Sequence, residues 1–221
     1  TMPEFDRHAT EPHLPAPDAW WAPTTWRLEH LPAGTRVVPV PVEARLASAP
    51  RPEGPLRVLH VAGRKAAADR NGTQAFLAAL AHVRQPVMVR VMSQDRHPSR
   101  LPGVPRHVTL SWKAGGVTDH WDLYRDADVL VMPRRYGGLC LPANEAMACG
   151  LAVAMTGCPP NPQTWPVHPL PARLGPSVAT PAGDVPTYDA APEVVAAAID
   201  DLAAHPAILA ALRADARAWA S

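Results

Sequence analysis

The first candidate for chemistry is a basic loop that follows an apolar, strand-like run. Gly63 and Arg64 come directly after that run, and Arg70 precedes the next helical pattern, which Asn71 or Thr73 could cap. Because guanidinium groups bind phosphate oxygens bidentately and helix amino termini offer amide donors, Arg64 and Arg70 predict a diphosphate site. The loop matches neither the G-x-G-x-x-G dinucleotide fingerprint nor the Walker motif. The alternative is a basic loop that is only solvated.

The second candidate is a glycine-containing turn that leads into a helix with one acidic side chain. Small or unbranched residues at Gly138–Leu141 let backbone N–H groups approach oxygen atoms. Pro142 suits the first helical turn, because its missing N–H is not needed there. Glu145, one turn further in, is a carboxylate near a helix amino terminus, so it stays ionised and can accept two hydroxyl groups. The alternative is a glutamate that interacts only with the helix dipole.

Alternating strand and helix patterns from Pro55 onward must position these residues. Short apolar runs predict strands at Arg57–Ala62, Val87–Met92, His107–Leu110, Val129–Met132 and Ala152–Met155. Helical patterns occur at Thr73–His82, Thr118–Arg125, Pro142–Cys149, Pro192–Ala203 and Ala207–Trp219. This alternation is typical of a doubly wound, parallel α/β sheet of the Rossmann-like type. Ligands of such sheets bind outside the carboxyl ends of the strands, where both candidate loops lie.

The residues before Pro55 differ in composition from those after it. Residues 1–19 are polar, rich in proline and aperiodic, and we interpret them as a disordered tail or a remnant of cloning. Residues 20–54 contain the run Arg36–Val42, in which two prolines exclude a central strand and favour an edge strand or an extended linker. Residues 55–221 then form the domain that carries both candidate loops.

The composition excludes several classes of protein. The 221 residues include 21 basic and 20 acidic side chains, so the chain lacks the basic excess of a nucleic-acid-binding protein. No apolar run reaches the ~18 residues of a membrane span, and no signal-peptide pattern opens the chain. Cys140, Cys149 and Cys158 cannot all pair and do not have zinc spacing. They favour reduced thiols and a cytoplasmic location, and no metal site is predicted.

The segment 119–161, DHWDLYRDADVLVMPRRYGGLCLPANEAMACGLAVAMTGCPPN, resembles the retaining GT-B glycosyltransferases, in particular family 4. The pattern of that family is ADV…PS…EGFGLP…EAMACG, and the likeness extends over residues 55–221, with residues 20–54 similar to its interdomain segment. The resemblance implies the carboxy-terminal, donor-binding half of a hexosyl- or other glycosyltransferase of the EC 2.4 class. It implies a nucleoside diphosphate sugar, such as a UDP- or GDP-sugar, as donor. A missing amino-terminal domain would bind an acceptor of unknown identity.

The resemblance also implies roles for single residues. The donor's phosphates and sugar would contact Gly63, Arg64, Arg70, Gly138, Leu139, Cys140 and Leu141. Arg64 and Arg70 would act in catalysis by stabilising the charge of the leaving diphosphate, without a metal or another cofactor. Glu145 would accept the ribose hydroxyls, and Lys113, after the third predicted strand, would lie near the nucleotide base.

Two departures from the family pattern leave alternatives open. The first glutamate of the family, which contacts a sugar hydroxyl there, is replaced by Gly137, and Arg70 stands late in the loop in place of a family lysine. The chain could therefore be a catalytically degenerate nucleotide-sugar-binding module or a GT-B-type sugar-nucleotide epimerase. Outside the motif, we interpret His60 as a buried imidazole, Cys149 as a packed thiol and His120 as a helix-face residue.

Overall fold

The computed structural model of the chain describes residues 18–25, 28–43, 54–63, 69–95, 102–161, 165–180 and 183–220. Arg64, one of the predicted phosphate ligands, lies outside the described residues. Most of the predicted tail and the end of the segment 20–54 also lie outside them. Gly63 and Arg70, on either side of Arg64, are described.

A short parallel pair of strands precedes the main domain. Strand β1 (Trp21–Ala22) pairs with β2 (Arg36–Val37). Strand β2 ends before Pro39, because a proline cannot donate the next ladder hydrogen bond. This agrees with the prediction of an extended segment interrupted by prolines.

Six parallel strands form the central sheet. They are β3 (Leu56–Gly63), β4 (Val87–Ser93), β5 (Val108–Ala114), β6 (Val129–Met132), β7 (Ala152–Met155) and β8 (His168–Pro169), in the spatial order β5-β4-β3-β6-β7-β8. The order reverses between β3 and β6, which are neighbours. The predicted doubly wound, Rossmann-like α/β fold is confirmed. At such a reversal, the carboxyl ends of the two strands border the crevice in which ligands bind.

Helices cover both faces of the sheet. They are α1 (Thr73–Ala79), α2 (Leu141–Ala148), α3 (Pro192–Ala204) and α4 (Pro206–Ala220). Successive residues of β3 belong to different cores: Val58 lies in the core that includes Phe76 of α1, and Leu59 lies in the core that includes Met147 of α2. Each of these side chains is buried, and its burial contributes about 2 kcal/mol. Burial on both faces explains why β6 is apolar at every position.

No single helix among the described residues is long and apolar enough to cross a membrane. Helices α3 and α4 pass the same test of length and composition only when taken together, across a bend of 98°. Both helices contribute buried side chains to the cores, among them Ile199 of α3 and Ala216 of α4.

The predicted helix over Thr118–Arg125 is wrong, because only a 3₁₀ turn, His120–Leu123, forms there. The Asp119 side chain accepts the Trp121 N–H at 3.0 Å, so it caps the turn at its start. Asp126 has a left-handed backbone with a φ of 61°, which ends any helical path. These local side-chain contacts compete with the helical ladder and limit it to one turn.

An antiparallel hairpin near the site is absent from the prediction. It consists of β9 (Arg173–Thr180) and β10 (Gly183–Asp189). Pro176 and Pro186 interrupt its strands, and prolines in a run argue against a strand. The hairpin borders the site, since the Tyr188 N–H donates to a carbonyl of the loop after β6 at 2.7 Å.

Candidate functional site

Two loops meet at the carboxyl ends of β3 and β6. The Arg135 N–H, after β6, donates to the Arg70 carbonyl, after β3, at 2.8 Å. Gly72 approaches the same loop: its φ is 70°, and a Cβ there would lie 1.9 Å from the Pro133 carbonyl oxygen. Only glycine fits this approach. The parallel sheet thus brings together two loops that are far apart in sequence.

Arg70 lies at the glycine turn, as the sequence predicts. A Cβ on Gly137 would lie 2.6 Å from Arg70 Cδ. Arg70 is exposed, and its guanidinium forms no hydrogen bond or ion pair within the described residues. Partial desolvation by the surrounding loops and then the nearby cation of Arg134 lower the pKa of Arg70. A guanidinium without a counter-ion therefore borders the turn.

The amino terminus of α1 is occupied by one of the protein's own carboxylates. Asp69 accepts the Thr73 N–H at 2.7 Å and the Gln74 N–H at 3.1 Å, one with each oxygen. The predicted cap by Asn71 or Thr73 is wrong, because Asn71 Nδ2 donates instead to the Val61 carbonyl at 2.9 Å. The first amides of α1 are therefore not available to a phosphate.

The predicted phosphate turn has two amides engaged within the protein. The Cys140 N–H donates to Asn161 Oδ1 at 2.8 Å, and the Leu141 N–H donates to the Leu139 carbonyl at 3.1 Å. The amides of Gly138 and Leu139 make no hydrogen bond within the part of the chain that the structure describes. These two donors remain for a ligand, next to the unpaired guanidinium.

Arg134 is a site residue that the sequence reasoning missed. Only 3% of it is exposed. Nη1 donates to Asn71 Oδ1 at 3.2 Å, and Nη2 donates to the Gly138 carbonyl at 2.6 Å. The buried Nε has no partner. The signal in the sequence was weak: Arg134 stands where the family pattern has a small serine.

Glu145 lies in α2 with its two carboxylate oxygens in different environments. Oε2 accepts the Tyr124 hydroxyl and lies 3.0 Å from His120 Nε2. No hydrogen bond to Oε1 occurs among the described residues. Burial and the charge of Glu145 raise the pKa of Tyr124, so its hydroxyl stays protonated and donates. The interpretation of His120 as a helix-face residue misses this contact.

His60 and Cys149 are structural, as the sequence suggests. His60 Nδ1 donates to the Val131 carbonyl at 2.9 Å, and Nε2 accepts the Thr73 hydroxyl at 2.9 Å. Burial lowers the pKa of His60 to about 4, so the imidazole is neutral. Burial and then Glu145 raise the pKa of Cys149 to about 12, which keeps the thiol protonated and unreactive.

Lys113 lies within β5, near its carboxyl end, and its side chain is exposed. The strand predicted at His107–Leu110 is longer in the structure, so the prediction that Lys113 follows the strand is wrong. Lys113 nevertheless lies at the same edge of the sheet as the site. Among the described residues, no group of three His, Cys, Asp or Glu side chains is placed to hold a metal ion.

A concave pocket of about 410 Å³ lies at the opposite, amino-terminal edge of the sheet. Its polar groups satisfy one another: Arg84 Nε lies 3.1 Å from Asp200 Oδ2, and Asp200 Oδ1 accepts the backbone amides of Arg84 and Gln85. The unpaired donors lie at the carboxyl edge, which is therefore the candidate site.

The sheet, its covering helices and the site at the strand reversal define a Rossmann-like α/β domain of the type found as the carboxy-terminal half of GT-B glycosyltransferases. The family model described as glycosyl transferases group 1 matches residues 56–167, which are 112 of the 221 residues. The chain belongs to the group 1 glycosyl transferase family.

Several solved structures share this fold. The pneumococcal O-GlcNAc transferase GtfA, in complex with UDP and GlcNAc, matches 98% of this chain and 44% of its own, at 14% identity and a TM-score of 0.64. Sucrose-phosphate synthase from Thermosynechococcus elongatus matches 92% of this chain and 53% of its own, at 21% identity and a TM-score of 0.65. HepE of Anabaena, in complex with UDP-glucose, matches 92% of this chain and 58% of its own, at 13% identity and a TM-score of 0.65.

The chain thus spans about half of the length of these structures. At these identities the likeness shows the fold alone. No curated protein sequence matches the chain.

Proposed function

We propose that this chain binds a nucleoside diphosphate sugar and forms the donor-binding part of a retaining, family 4-like glycosyltransferase. Membership of the group 1 glycosyl transferases supports the class of reaction. The complexes of GtfA with UDP and of HepE with UDP-glucose make a UDP-sugar the first donor to test. An amino-terminal domain would supply the acceptor site. The three cysteines are buried and form no disulfide, which supports a reducing, cytoplasmic location.

The observation that carries this proposal is that Arg70 lies at the turn that contains the unbonded amides of Gly138 and Leu139. The Arg70 side chain packs against Gly137, the residue before these two unbonded amides, and no carboxylate of the described residues pairs with Arg70. Clustered donors of this kind bind phosphate oxygens, because a guanidinium fork and adjacent amides match their geometry and charge. A diphosphate supplies the negative charge that the turn lacks.

The ribose would bind at Glu145. The hydrogen bond from Tyr124 to Oε2 fixes the carboxylate, and Oε1 remains to accept a ribose hydroxyl. Lys113, at the same edge, would lie near the base. These contacts would orient the donor with its diphosphate on Arg70.

In the transfer, the bond between the anomeric carbon and the diphosphate breaks, and the acceptor's hydroxyl oxygen forms the new bond. Arg70 and the turn amides, together with Arg64, would stabilise the negative charge that develops on the leaving diphosphate. This role needs no metal ion or other cofactor.

Gly137 keeps two alternatives open: a catalytically degenerate binding module and a GT-B-type epimerase. The residue has a φ of 101°, and a Cβ there would overlap the Arg70 side chain. The position therefore carries no group that could bind a sugar hydroxyl. We expect the bare nucleoside diphosphate to bind nearly as tightly as the nucleotide sugar.

Calorimetric titration of the full chain with UDP, GDP and their sugars tests the proposal. We expect Arg70→Gln to weaken binding by about 10- to 150-fold, the effect of one lost charged hydrogen bond of ~1.5–3 kcal/mol. Arg84→Gln, at the opposite edge, is the control and should bind normally. Wild-type affinity in Arg70→Gln would contradict the phosphate assignment.

Assays of turnover distinguish the three possible functions: transferase, epimerase and degenerate binding module. Release of the nucleoside diphosphate that requires an added acceptor domain indicates a transferase. An altered sugar without any acceptor, detected by NMR, indicates an epimerase. Binding without either product indicates a degenerate module.

A further inference from the structure

Arg134 is a cation enclosed at the carboxyl end of β6 without an anionic partner. Its two hydrogen-bonded nitrogens donate to neutral acceptors, Asn71 Oδ1 and the Gly138 carbonyl, and its buried Nε has no partner. A buried guanidinium is stable only when another group neutralises its charge. Within the described residues, no carboxylate forms an ion pair with Arg134.

A second unpaired cation lies beside it. A Cβ on Gly137 would lie 2.6 Å from Arg70 Cδ and 3.5 Å from Arg134 Nη2, so both side chains reach the same turn. The two like charges repel each other. The next residue differs: Arg135 Nε lies 2.6 Å from Asp189 Oδ1 and is neutralised within the protein. Thus Arg135 forms an ion pair within the protein, whereas its neighbour Arg134 remains available to an anionic ligand.

We propose that Arg134 is a donor-binding residue that contacts an anionic oxygen of the diphosphate, beside Arg70. This rests on the proposed function, which identifies the anion as a diphosphate. Asn71 and Gly138 hold the Arg134 guanidinium in one orientation, so binding requires little reordering of it. The exposed Arg70 side chain, which no hydrogen bond anchors, lies at the same turn and can change rotamer on the nanosecond timescale to bind the ligand together with Arg134.

The test compares Arg134→Gln with a matched change of charge one residue away, Arg135→Gln. Full-length chains are titrated with inorganic pyrophosphate, with UDP and GDP, and with uridine and guanosine. We expect Arg134→Gln to weaken the binding of pyrophosphate and of the preferred nucleotide by about 10- to 100-fold. The nucleosides, which carry no phosphate, should bind both variants as they bind the wild type. Arg135→Gln should change the affinity for pyrophosphate by less than about 3-fold.

Two results would overturn the proposal: wild-type affinity for pyrophosphate and nucleotide in Arg134→Gln, or an equal loss in Arg135→Gln, which would indicate only long-range charge. Failure of the proposed function looks different. In that case the wild type binds pyrophosphate through Arg134, but it binds UDP and GDP no more tightly than pyrophosphate.

A measurement on the wild type covers the case in which Arg134→Gln does not fold. The side-chain Nε–Hε resonance of Arg134, assigned with Arg134→Lys, should shift when pyrophosphate is added and stay in place when uridine is added. A resonance that pyrophosphate leaves unmoved would overturn the proposal.

Discussion

Substitution of Glu145 by glutamine gives a sharp test of the ribose contact, because the two carboxylate oxygens differ. Oε2 already accepts the Tyr124 hydroxyl and lies 3.0 Å from His120 Nε2, so only Oε1 is open to a ribose hydroxyl. Glu145→Gln keeps the size and removes the charge. One hydrogen bond to a charged group contributes about 1.5–3 kcal/mol, so we expect the affinity for UDP or GDP to fall about 10- to 150-fold.

Calorimetry with the ribonucleotide and its 2′-deoxy analogue checks this expectation. The loss in Glu145→Gln should shrink for the deoxynucleotide, which offers one hydroxyl fewer. Tyr124→Phe is the control: it removes the partner of the other oxygen, so it should lower the free energy of unfolding by about 1–3 kcal/mol. It should reduce the ratio of ribo- to deoxynucleotide affinity less than Glu145→Gln does, because Oε1 keeps its charge. An equal loss on both nucleotides in Glu145→Gln would refute the ribose role.

Three further predictions concern stability, measured by urea denaturation. Gly72→Ala should lower the free energy of unfolding by more than ~3 kcal/mol, since its Cβ would meet the Pro133 carbonyl oxygen at 1.9 Å. Gly115→Ala, with a φ of 99° and open space, should lose only ~1 kcal/mol, and equal losses would contradict the steric argument. His60 has a pKa of about 4 in the fold and 6.5 as a free group, so stability falls as the pH drops through this window. The loss is about 2 kcal/mol between pH 7 and pH 5, and a variant His60→Asn with an unchanged pH profile would argue against it. Asp128→Asn should lower the free energy of unfolding by about 3 kcal/mol, because it removes the buried carboxylate that pairs with Arg57 and Arg213, and a loss below ~1 kcal/mol would speak against that pairing.

The sequence predicted the sheet well because the apolar run that marks a buried strand lies within a single segment of the chain. The runs at Val129–Met132 and Ala152–Met155 are apolar throughout, which fits strands buried on both faces, and the strands have these bounds in the structure. The β9–β10 hairpin could not be predicted in this way, because Pro176 and Pro186 interrupt the alternation of apolar and polar residues in its strands. At Thr118–Arg125 the sequence predicted a helix that does not form. There the contact of the Asp119 side chain with the Trp121 N–H favours a 3₁₀ turn over the helix.

For the site, the sequence predicted which loops meet but not which atoms remain open. Parallel strands bring Arg70 to the turn after β6. The cap by Asp69 and the contact of His120 with Glu145 depend on side-chain directions that no spacing rule contains. The bond from the Cys140 amide to Asn161 joins residues in different loops, so the number of available amides could be read only from the folded chain.

Two differences from the family pattern, at residues 134 and 137, belong to one change in the charge of the site. Gly137 removes a carboxylate, and Arg134, three residues earlier, adds a guanidinium that reaches the same turn. A carboxylate at residue 137 would need a left-handed backbone and would displace the Arg70 side chain from its present position. The turn thus exchanges a group suited to a sugar hydroxyl for a group suited to a phosphate. Under the proposed function, this shift from sugar to diphosphate would let a site without the sugar-recognition residue still bind its donor through the phosphates.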